Sequence, residues 1–409
     1  MGIFKRAFWV LVLTEVLGAS LLFASSGYDL KALYERALEK DVSLEIQKSV
    51  YIQSQEKSEN ARSAFHPQIK ASLTKGWSEV GSQNKLFPEL SAEQILFAGG
   101  RKYKLLKESL NLEESRKLEL SAAKRDLFIT ISDLYFDILS LQREHTHVRE
   151  LLKIFDKRIS ELKSRVKIGK SRRAELVAVQ TQQRIANSEE FTLKTSLSQK
   201  RELLAQITEV PANVPLQEKF KTKFSLPQGF DLANREDLQA LEAKSAAAKE
   251  RIESERSTYW PQLLATGTYY PNGSSQNDEN NWQLALKAEW KLWDGLETSS
   301  RVGEKIQERA QSELKTQLLR KQINSEYQNL SAIVKSAEEQ LFLLEEGVKF
   351  ADLNSRLQVE DYSRGVISTL DLLQSLDSLI DAQRRHDRKL AEVNKSYNEL
   401  MSLSGELPL

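Results

Sequence analysis

Residues 96–101 read Leu-Phe-Ala-Gly-Gly-Arg, and residues 292–295 return to the same pattern as Leu-Trp-Asp-Gly, 196 positions later. The same offset relates Gly169 to Gly365 and residues 174–176 to residues 370–372. A third pair of motifs, at 65–68 and 259–262, is shifted by 194 positions. Offsets that stay nearly constant over such distances indicate a chain built from two similar halves rather than from short solenoid repeats.

Each half carries a long heptad pattern. Between Leu127 and Val166 apolar residues recur at alternating spacings of four and three, with His145 as the one polar member, and a second pattern runs from Ile323 to Tyr362. Sustained heptads with charged flanks predict long helices that pack as coiled coils do. We expect a turn after each pattern and a return helix that ends near Thr208 in the first half and near Leu403 in the second. A further helix is expected over about residues 29–64, before the first strand.

The strand signals lie at 67–77, 89–97, 261–270 and 282–293. The last of these alternates strictly, with Trp282, Leu284 and Leu286 on one face and Gln283, Lys287 and Glu289 on the other, which predicts a strand with one apolar and one polar face. Strands of about ten residues can cross a bilayer when tilted.

The chain is expected to have four parts. Lys5 and Arg6 precede an apolar run at 7–23, which predicts a secretory signal peptide at residues 1–26, with an uncleaved anchor helix as the alternative. Residues 27–209 form the first structural repeat and residues 231–409 the second. The linker between them, residues 210–230, contains three prolines.

Composition excludes several classes of protein. The chain has 59 basic and 58 acidic residues and no cysteine, so it has neither the charge of a nucleic-acid-binding domain nor a disulfide framework. No nucleophile and base stand in a recognisable arrangement, and His145 and His147 point apart on a helix. We predict no enzyme, no cofactor, no metal site and no nucleic-acid partner.

Four strands cannot close a barrel, and an open sheet edge is costly in lipid because its backbone groups lack partners. Several copies must therefore share one barrel, and three copies would give about twelve strands and room for a lumen. A sheet in the core of a soluble protein is the alternative. The tryptophans favour the membrane, because those outside the signal peptide lie in the strand regions, as in an interfacial aromatic girdle: Trp77, Trp260, Trp282, Trp290 and Trp293.

In their order and spacing these motifs resemble the TolC family of trimeric outer-membrane efflux and export proteins. The resemblance covers nearly all of the chain after the signal peptide. It rests on the duplication, on residues 96–101 and 292–295 behind strands two and four, and on residues 362–365 followed by 371–373. It implies a mainly α fold with a small β part. In this fold a TolC-like duplicated α-helical barrel is joined to four β-strands per chain, which contribute to a shared 12-stranded trimeric outer-membrane β-barrel. The linker would belong to an equatorial belt.

The resemblance also implies functional positions. The turns between long helices would dock a periplasmic adaptor, although each turn glycine has a purely structural role as its alternative. A periplasmic constriction would be built from Tyr362, Asp371 and Gln374, and the alternative for Asp371 is a helix-start carboxylate. The predicted docking positions are Lys167, Ile168, Gly169, Lys170 and Ser171 in the first turn, and Arg364, Gly365, Val366, Ile367 and Ser368 in the second.

The function that the resemblance implies is an outer-membrane channel with a long periplasmic extension. It would be the exit duct of a tripartite efflux pump or a type I secretion system. The partners would be two further copies in a homotrimer, a periplasmic adaptor (membrane fusion) protein, an inner-membrane RND or ABC pump, and outer-membrane lipid. The alternative interpretation is a secreted or periplasmic structural or adaptor-like coiled-coil protein.

Overall fold

The computed structural model describes residues 27–76, 85–227, 230–271 and 281–408. The predicted signal peptide, residues 1–26, lies outside this part. Two short 3-10 helices, Leu232–Asn234 and Ser257–Tyr259, flank the fifth α-helix. The helices are α1 (Leu30–Lys40), α2 (Val42–Ser63), α3 (Arg101–Lys167), α4 (Arg173–Thr208), α5 (Glu236–Arg256), α6 (Glu297–Arg364) and α7 (Thr369–Leu403), and the strands are β1 (Gln68–Gly76), β2 (Lys85–Ala98), β3 (Gln262–Tyr269) and β4 (Trp282–Glu289). This content confirms the predicted mainly α fold with a small β part.

The long helices begin and end close to the predicted residues, but the N-terminal helix does not. The sequence predicts one helix over residues 29–64, whereas the structure interrupts it at Asp41. The carboxylate of Asp41 accepts a hydrogen bond from the backbone N–H of Leu44 at 2.7 Å. A side chain that caps a helix start in this way favours a new helix over the continuation of the old one.

The four strands form one antiparallel sheet in the order β1-β2-β3-β4. β2 begins at Lys85 rather than at Glu89, because its pairing with β1 continues through Pro88, which opposes Leu73. β4 ends at Glu289, so the predicted extension to Trp293 is wrong. Trp290 instead donates its indole N–H to the Tyr259 carbonyl, and Asp294 accepts from the N–H of Thr298 in α6.

The packing divides the chain into two units. The helical unit consists of residues up to Leu44, Ala123–Asp231 and Ile323–Leu409. One of its apolar clusters joins Phe155 and Leu162 of α3 to Val179 of α4 and to Leu372 and Leu376 of α7. Phe155 and Leu162 are heptad positions, so this part of the core follows from the sequence pattern.

The central linker packs within the helical unit. Tyr28 and Leu216 form a short parallel bridge, in which Tyr28 N–H donates to the Pro215 carbonyl at 3.0 Å and Gln217 N–H donates to the Tyr28 carbonyl at 2.9 Å. The side chain of Asn394 in α7 bonds both the N–H and the carbonyl of Lys221. These bonds satisfy backbone groups of an extended segment that has no sheet of its own.

The sheet unit consists of Glu45–Ala122 and Leu232–Gln322. It contains all four strands together with the helix segments that lead into and out of them. Small buried residues let its helices approach closely: the Ser115 hydroxyl donates to the Ala240 carbonyl at 2.8 Å, and Ala247 is buried.

Candidate functional site: sheet faces and interhelical turns

The sheet has an apolar face and a polar face, and both are exposed in the single chain. On β4, Trp282, Leu284 and Leu286 alternate with Gln283 and Lys287. The register carries the apolar face across the sheet, since Leu284 opposes Gly267, Gly267 opposes Ala92 and Ala92 opposes Ile69. Leu284 is 74% exposed and Ile69 71% exposed. Large apolar side chains exposed on one continuous face mark a surface that contacts lipid or another protein.

The two outer edges of the sheet are unpaired in the described part of the chain. β1 pairs with β2 alone, and β4 pairs with β3 alone. Such edges carry rows of free N–H and C=O groups that can pair with a further strand. The sheet is therefore open, as the sequence predicted.

The described tryptophans lie at both ends of the strands. Trp282 begins β4 at the end next to the β3–β4 loop, whereas Trp260, Trp290 and Trp293 lie at the end that adjoins the helices. All four are exposed. The fifth predicted girdle residue, Trp77, lies outside the described residues.

The turn between α3 and α4 is a tight helix end built around Gly169. Its φ of 72° lies in the left-handed region, which glycine adopts without a steric penalty. Gly169 N–H donates to the Val166 carbonyl at 3.1 Å, and Lys170 N–H donates to the Arg165 carbonyl at 2.8 Å. This pair of bonds is the Schellman pattern. It leaves Ile168 65% exposed at the turn.

The turn between α6 and α7 repeats this geometry 196 positions later. Gly365 has a φ of 78°, its N–H donates to Tyr362 at 3.0 Å, and Val366 N–H donates to Asp361 at 3.0 Å. Val366 is 70% exposed. Ile367 is half-buried against the apolar cluster of the helical unit, and Ser368 caps α7. The duplication is thus preserved at the level of individual hydrogen bonds.

Tyr362 is buried in the single chain. It is 6% exposed, packs with Leu372 and Leu376, and lies within 3.3 Å of the Thr369 hydroxyl. The Arg158 guanidinium covers its ring at 5.0 Å. Its position continues the α6 heptad, which turns the ring into the core of the helical unit, and its part in a constriction stays a prediction.

Asp371 and Gln374 are both exposed on the first turns of α7. Asp371 forms a capping box with Ser368: its carboxylate accepts from the Ser368 N–H at 3.0 Å and from the Ser368 hydroxyl at 2.7 Å. These hydrogen bonds from Ser368 lower the pKa of Asp371 below its ordinary value. The structure therefore contains the helix-start role that the sequence offered as an alternative.

Residues 33–209 and residues 231–406 each match the model of the outer membrane efflux protein family. The chain belongs to this family. Together the two matches cover most of the sequence, and they confirm the predicted resemblance to the TolC family.

Solved structures of outer-membrane channels share the fold. The CmeC channel of Campylobacter jejuni matches with a TM-score of 0.83 at 13% identity, over 92% of this chain and 85% of that chain. The MtrE channel of Neisseria gonorrhoeae matches with a TM-score of 0.76 at 18% identity, over 92% and 89%. VceC of Vibrio cholerae matches with a TM-score of 0.76 at 15% identity, over 92% and 96%. No curated protein sequence matches the chain significantly.

The family and the fold are those of channel proteins rather than of enzymes. Among the described residues, no helix is long and apolar enough to cross a membrane.

Sequence reasoning missed a polar cluster in the helical unit of this efflux family member. Asp387 of α7 lies 2.9 Å from His147 Nε2 and 3.2 Å from His386 Nδ1, and it accepts from the Arg143 guanidinium at 3.1 Å. Burial alone would raise the pKa of Asp387, but bonds to His147 and His386 and the charge of Arg143 outweigh burial and hold its pKa well below the ordinary value.

An ionised carboxylate can only accept hydrogen bonds, so both imidazoles donate to Asp387. The cluster therefore fixes the rotation of α3 and α7 relative to each other. The heptad pattern singles out His145 and not His147, and no spacing within one helix reveals the bond. Only the register between the two helices brings these residues together.

Proposed function

We propose that three copies of this chain form a passive exit duct through the outer membrane, with their twelve strands closed into one barrel. The observation that carries the proposal is the open four-stranded sheet, which exposes one apolar face, one polar face and two unpaired edges. In lipid such edges need strand partners, and identical neighbours supply them. Eight strands enclose an interior filled by side chains, whereas twelve leave a lumen.

The two faces of the sheet support an assignment to lipid and to lumen. Outer-membrane barrels are apolar outside and polar inside, with aromatic residues at both interfaces. The face of Leu284 and Leu286 would contact lipid, and the face of Lys287 and Glu289 would line the duct. Trp282 would lie at one interface and Trp260, Trp290 and Trp293 at the other. CmeC and MtrE are named outer-membrane channels, which agrees with this placement.

The duct would serve an inner-membrane RND or ABC pump, in a tripartite efflux system or in type I secretion, and a periplasmic adaptor would join the two. The adaptor would meet the turns at 167–171 and 364–368. Their exposed Ile168 and Val366 supply apolar contact, and the Gly169 and Gly365 turns hold the helix ends in a fixed shape. Residues 210–230 would form the belt around the helices.

The constriction would be formed by Asp371 and Gln374 of three copies, with Tyr362 holding the turn from within. Three carboxylates around a narrow opening attract cations. In the single chain the hydrogen bonds from Ser368 hold the pKa of Asp371 below its ordinary value, which favours the ionised form.

The direct test measures mass and conductance of the protein purified in mild detergent. We expect a particle of three chains and discrete channel openings in planar bilayers. A monomer that makes no pore would contradict the proposal. Membrane fractionation distinguishes the duct from the alternative of a periplasmic scaffold, because the scaffold would be released without detergent.

A further inference from the structure

The two interhelical turns share one backbone but carry opposite charge patterns. Residues 163–173 read Lys-Ser-Arg-Val-Lys-Ile-Gly-Lys-Ser-Arg-Arg, with six basic residues and no acidic one. At the offset of 196, residues 359–369 read Val-Glu-Asp-Tyr-Ser-Arg-Gly-Val-Ile-Ser-Thr, with two acidic residues and one basic one. The charge difference is therefore not a consequence of the turn geometry.

The cations of the first turn are not neutralised. No ion pair joins any of the six side chains to another residue in the described part of the chain. In the second turn the one cation, Arg364, pairs with Glu360 at 2.5 Å. The six cations are exposed and lie within five residues of Ile168 along the chain, and the Arg165 guanidinium lies 5.9 Å from the centre of the Tyr362 ring. They are Lys163, Arg165, Lys167, Lys170, Arg172 and Arg173.

The stability of the helices does not explain this charge. Arg165 and Lys167 at the end of α3 suit the helix dipole, but Arg172 and Arg173 stand at the start of α4, where cations are unfavourable. Arg172 is the N-cap of α4 and makes no side-chain capping bond. The equivalent start of α7 has Ser368 and Asp371 in a capping box, which is what helix stability favours. The capping preference is kept at the start of α7 and broken at the start of α4, which indicates that the residues at the start of α4 serve a function other than helix stability.

We propose that the α3–α4 turn is a docking site for an acidic helical segment of a partner protein, and that the α6–α7 turn, whose net charge is negative, does not take that segment. The two turns are then distinct sites, so a partner is oriented by charge as well as by shape. The proposal rests on the proposed function only in placing that segment at the tip of a periplasmic adaptor.

A protein partner fits this surface better than a membrane does. Basic segments that bind membranes usually combine their positive charge with several large apolar side chains that insert into the lipid. Residues 163–173 offer Ile168 as the exposed apolar residue, because Val166 is half-buried. An exposed apolar residue with exposed cations on both sides of it in the chain matches the end of a helical hairpin whose polar rim is acidic.

The first variant uses the duplication itself. Lys167→Ser with Lys170→Val places in the first turn the residues that Ser363 and Val366 supply in the second, so the backbone geometry is retained. A second variant, Lys167→Glu with Lys170→Glu, reverses the charge. The matched control is Lys315→Glu with Lys321→Glu, two exposed lysines of α6 in the sheet unit. Each protein is held in a nanodisc.

The probes are two fluorescent amphipathic helical peptides with the same leucine face, one with glutamates and one with lysines on the polar face. By fluorescence anisotropy we expect the wild type to prefer the glutamate peptide by about tenfold at low salt, from a few exposed charge pairs. The preference should shrink at high salt. It should be smaller in the first variant, which keeps four of the six cations, smallest in the second, and unchanged in the control and in Arg364→Glu.

Equal binding of both peptides by the wild type, or a preference that the variants leave unchanged, would overturn the proposal. A flotation assay with vesicles of phosphatidylglycerol and phosphatidylethanolamine tests the membrane alternative: vesicle binding lost in the variants without a peptide preference would also overturn it. Channel conductance of the same samples is measured in parallel. Normal openings together with a failed peptide test reject this docking site and leave the duct standing.

Discussion

Asp371 serves the local structure of α7, and in the proposed trimer it also supplies charge to the constriction. A substitution of Ser368 distinguishes the two roles, because Ser368 shares the capping box but carries no charge. Loss of an N-cap side chain typically costs about 1 kcal/mol of helix stability. Ser368→Ala is therefore expected to loosen the start of α7 without removing the carboxylate.

We predict that Asp371→Ala lowers the cation-to-anion permeability ratio in planar bilayers, whereas Ser368→Ala leaves the ratio nearly unchanged. The lowered pKa of Asp371 also predicts how the stability of the fold depends on pH. The group stabilises the fold above its ordinary pKa of 3.8, and that contribution is lost as the pH falls through the folded value. An unchanged ratio in Asp371→Ala would remove this residue from the constriction.

Asp387 illustrates what a single sequence hides at the residue scale. Its charge is set by His147 and Arg143, which lie more than two hundred residues away in the chain. Tyr362 is the converse case. Its place in the heptad predicts that it lies in the core, and it is buried in the single chain. Periodicity predicts this burial because it reports which way a helix face points.

At the scale of the elements, α6 and α7 bring two carboxyl groups together. Burial, and then the neighbouring Glu326, raise the pKa of Glu399 in α7 to about 7. The folded chain thus keeps a proton that the unfolded chain releases near the ordinary value of 4.5. Stability from this site is highest below that value and falls as the pH rises through 7.

We predict that Glu399→Gln stabilises the protein at pH 8 by about 1 kcal/mol, allowing for solvent screening of a half-buried group. At pH 5 the gain should be small, because the wild-type side chain is already protonated in the folded state. Thermal unfolding followed by circular dichroism at both pH values checks this. Glu392→Gln, at an exposed residue paired with Lys389, is the control and should show no such pH dependence.

The ends of helices were predictable where the heptad pattern stops at a residue that ends a helix, such as a turn glycine. The heptads and the turn glycines place α3, α4, α6 and α7 within a few residues of their observed ends. The apolar alternation continues to Trp293 and so predicts a longer β4 than the structure has, because Asp294 already caps α6. Helix periodicity resumes after Asp41, so the sequence pattern does not predict the break there. A capping hydrogen bond can therefore mark the start of a helix at a residue where the apolar periodicity shows no interruption.

The two faces of β4 offer a matched pair of neighbouring positions. Leu286 lies on the apolar face and Ala285 on the polar face, and both are exposed in the single chain. An arginine on the lipid face of an outer-membrane barrel costs about 2–4 kcal/mol near the midplane. We predict that Leu286→Arg depletes the trimer from the membrane fraction, while Ala285→Arg assembles and changes conductance. Equal assembly of both variants would reject the assignment of faces.

At the scale of the whole molecule, the duplication means that each half supplies two strands and a pair of long helices, and the open sheet means that one chain lacks partners for its edge strands. Both features can be predicted from the sequence, because the first is a repeat and the second follows from the number of strands. The charge difference between the two turns was also present in the sequence, yet it acquired meaning only when the structure gave the turns the same hydrogen bonds. A difference in residues is informative once the geometry around it is known to be equal.

The absence of cysteine makes closure of the barrel directly testable. We place one cysteine on the polar face of β1 at Ser72 and, in separate variants, a second on β4 at Gln283, Ala285 or Lys287. Strands paired across a copy boundary bring such residues within disulfide reach, with Cβ atoms about 4 Å apart. In at least one variant, oxidation in membranes should give covalent dimers and trimers on a non-reducing gel, and nothing larger. Single-cysteine controls should stay monomeric. Bonds formed only within one chain would mean that the sheet closes on itself, and species beyond trimers would mean that the copies do not form a closed ring of three.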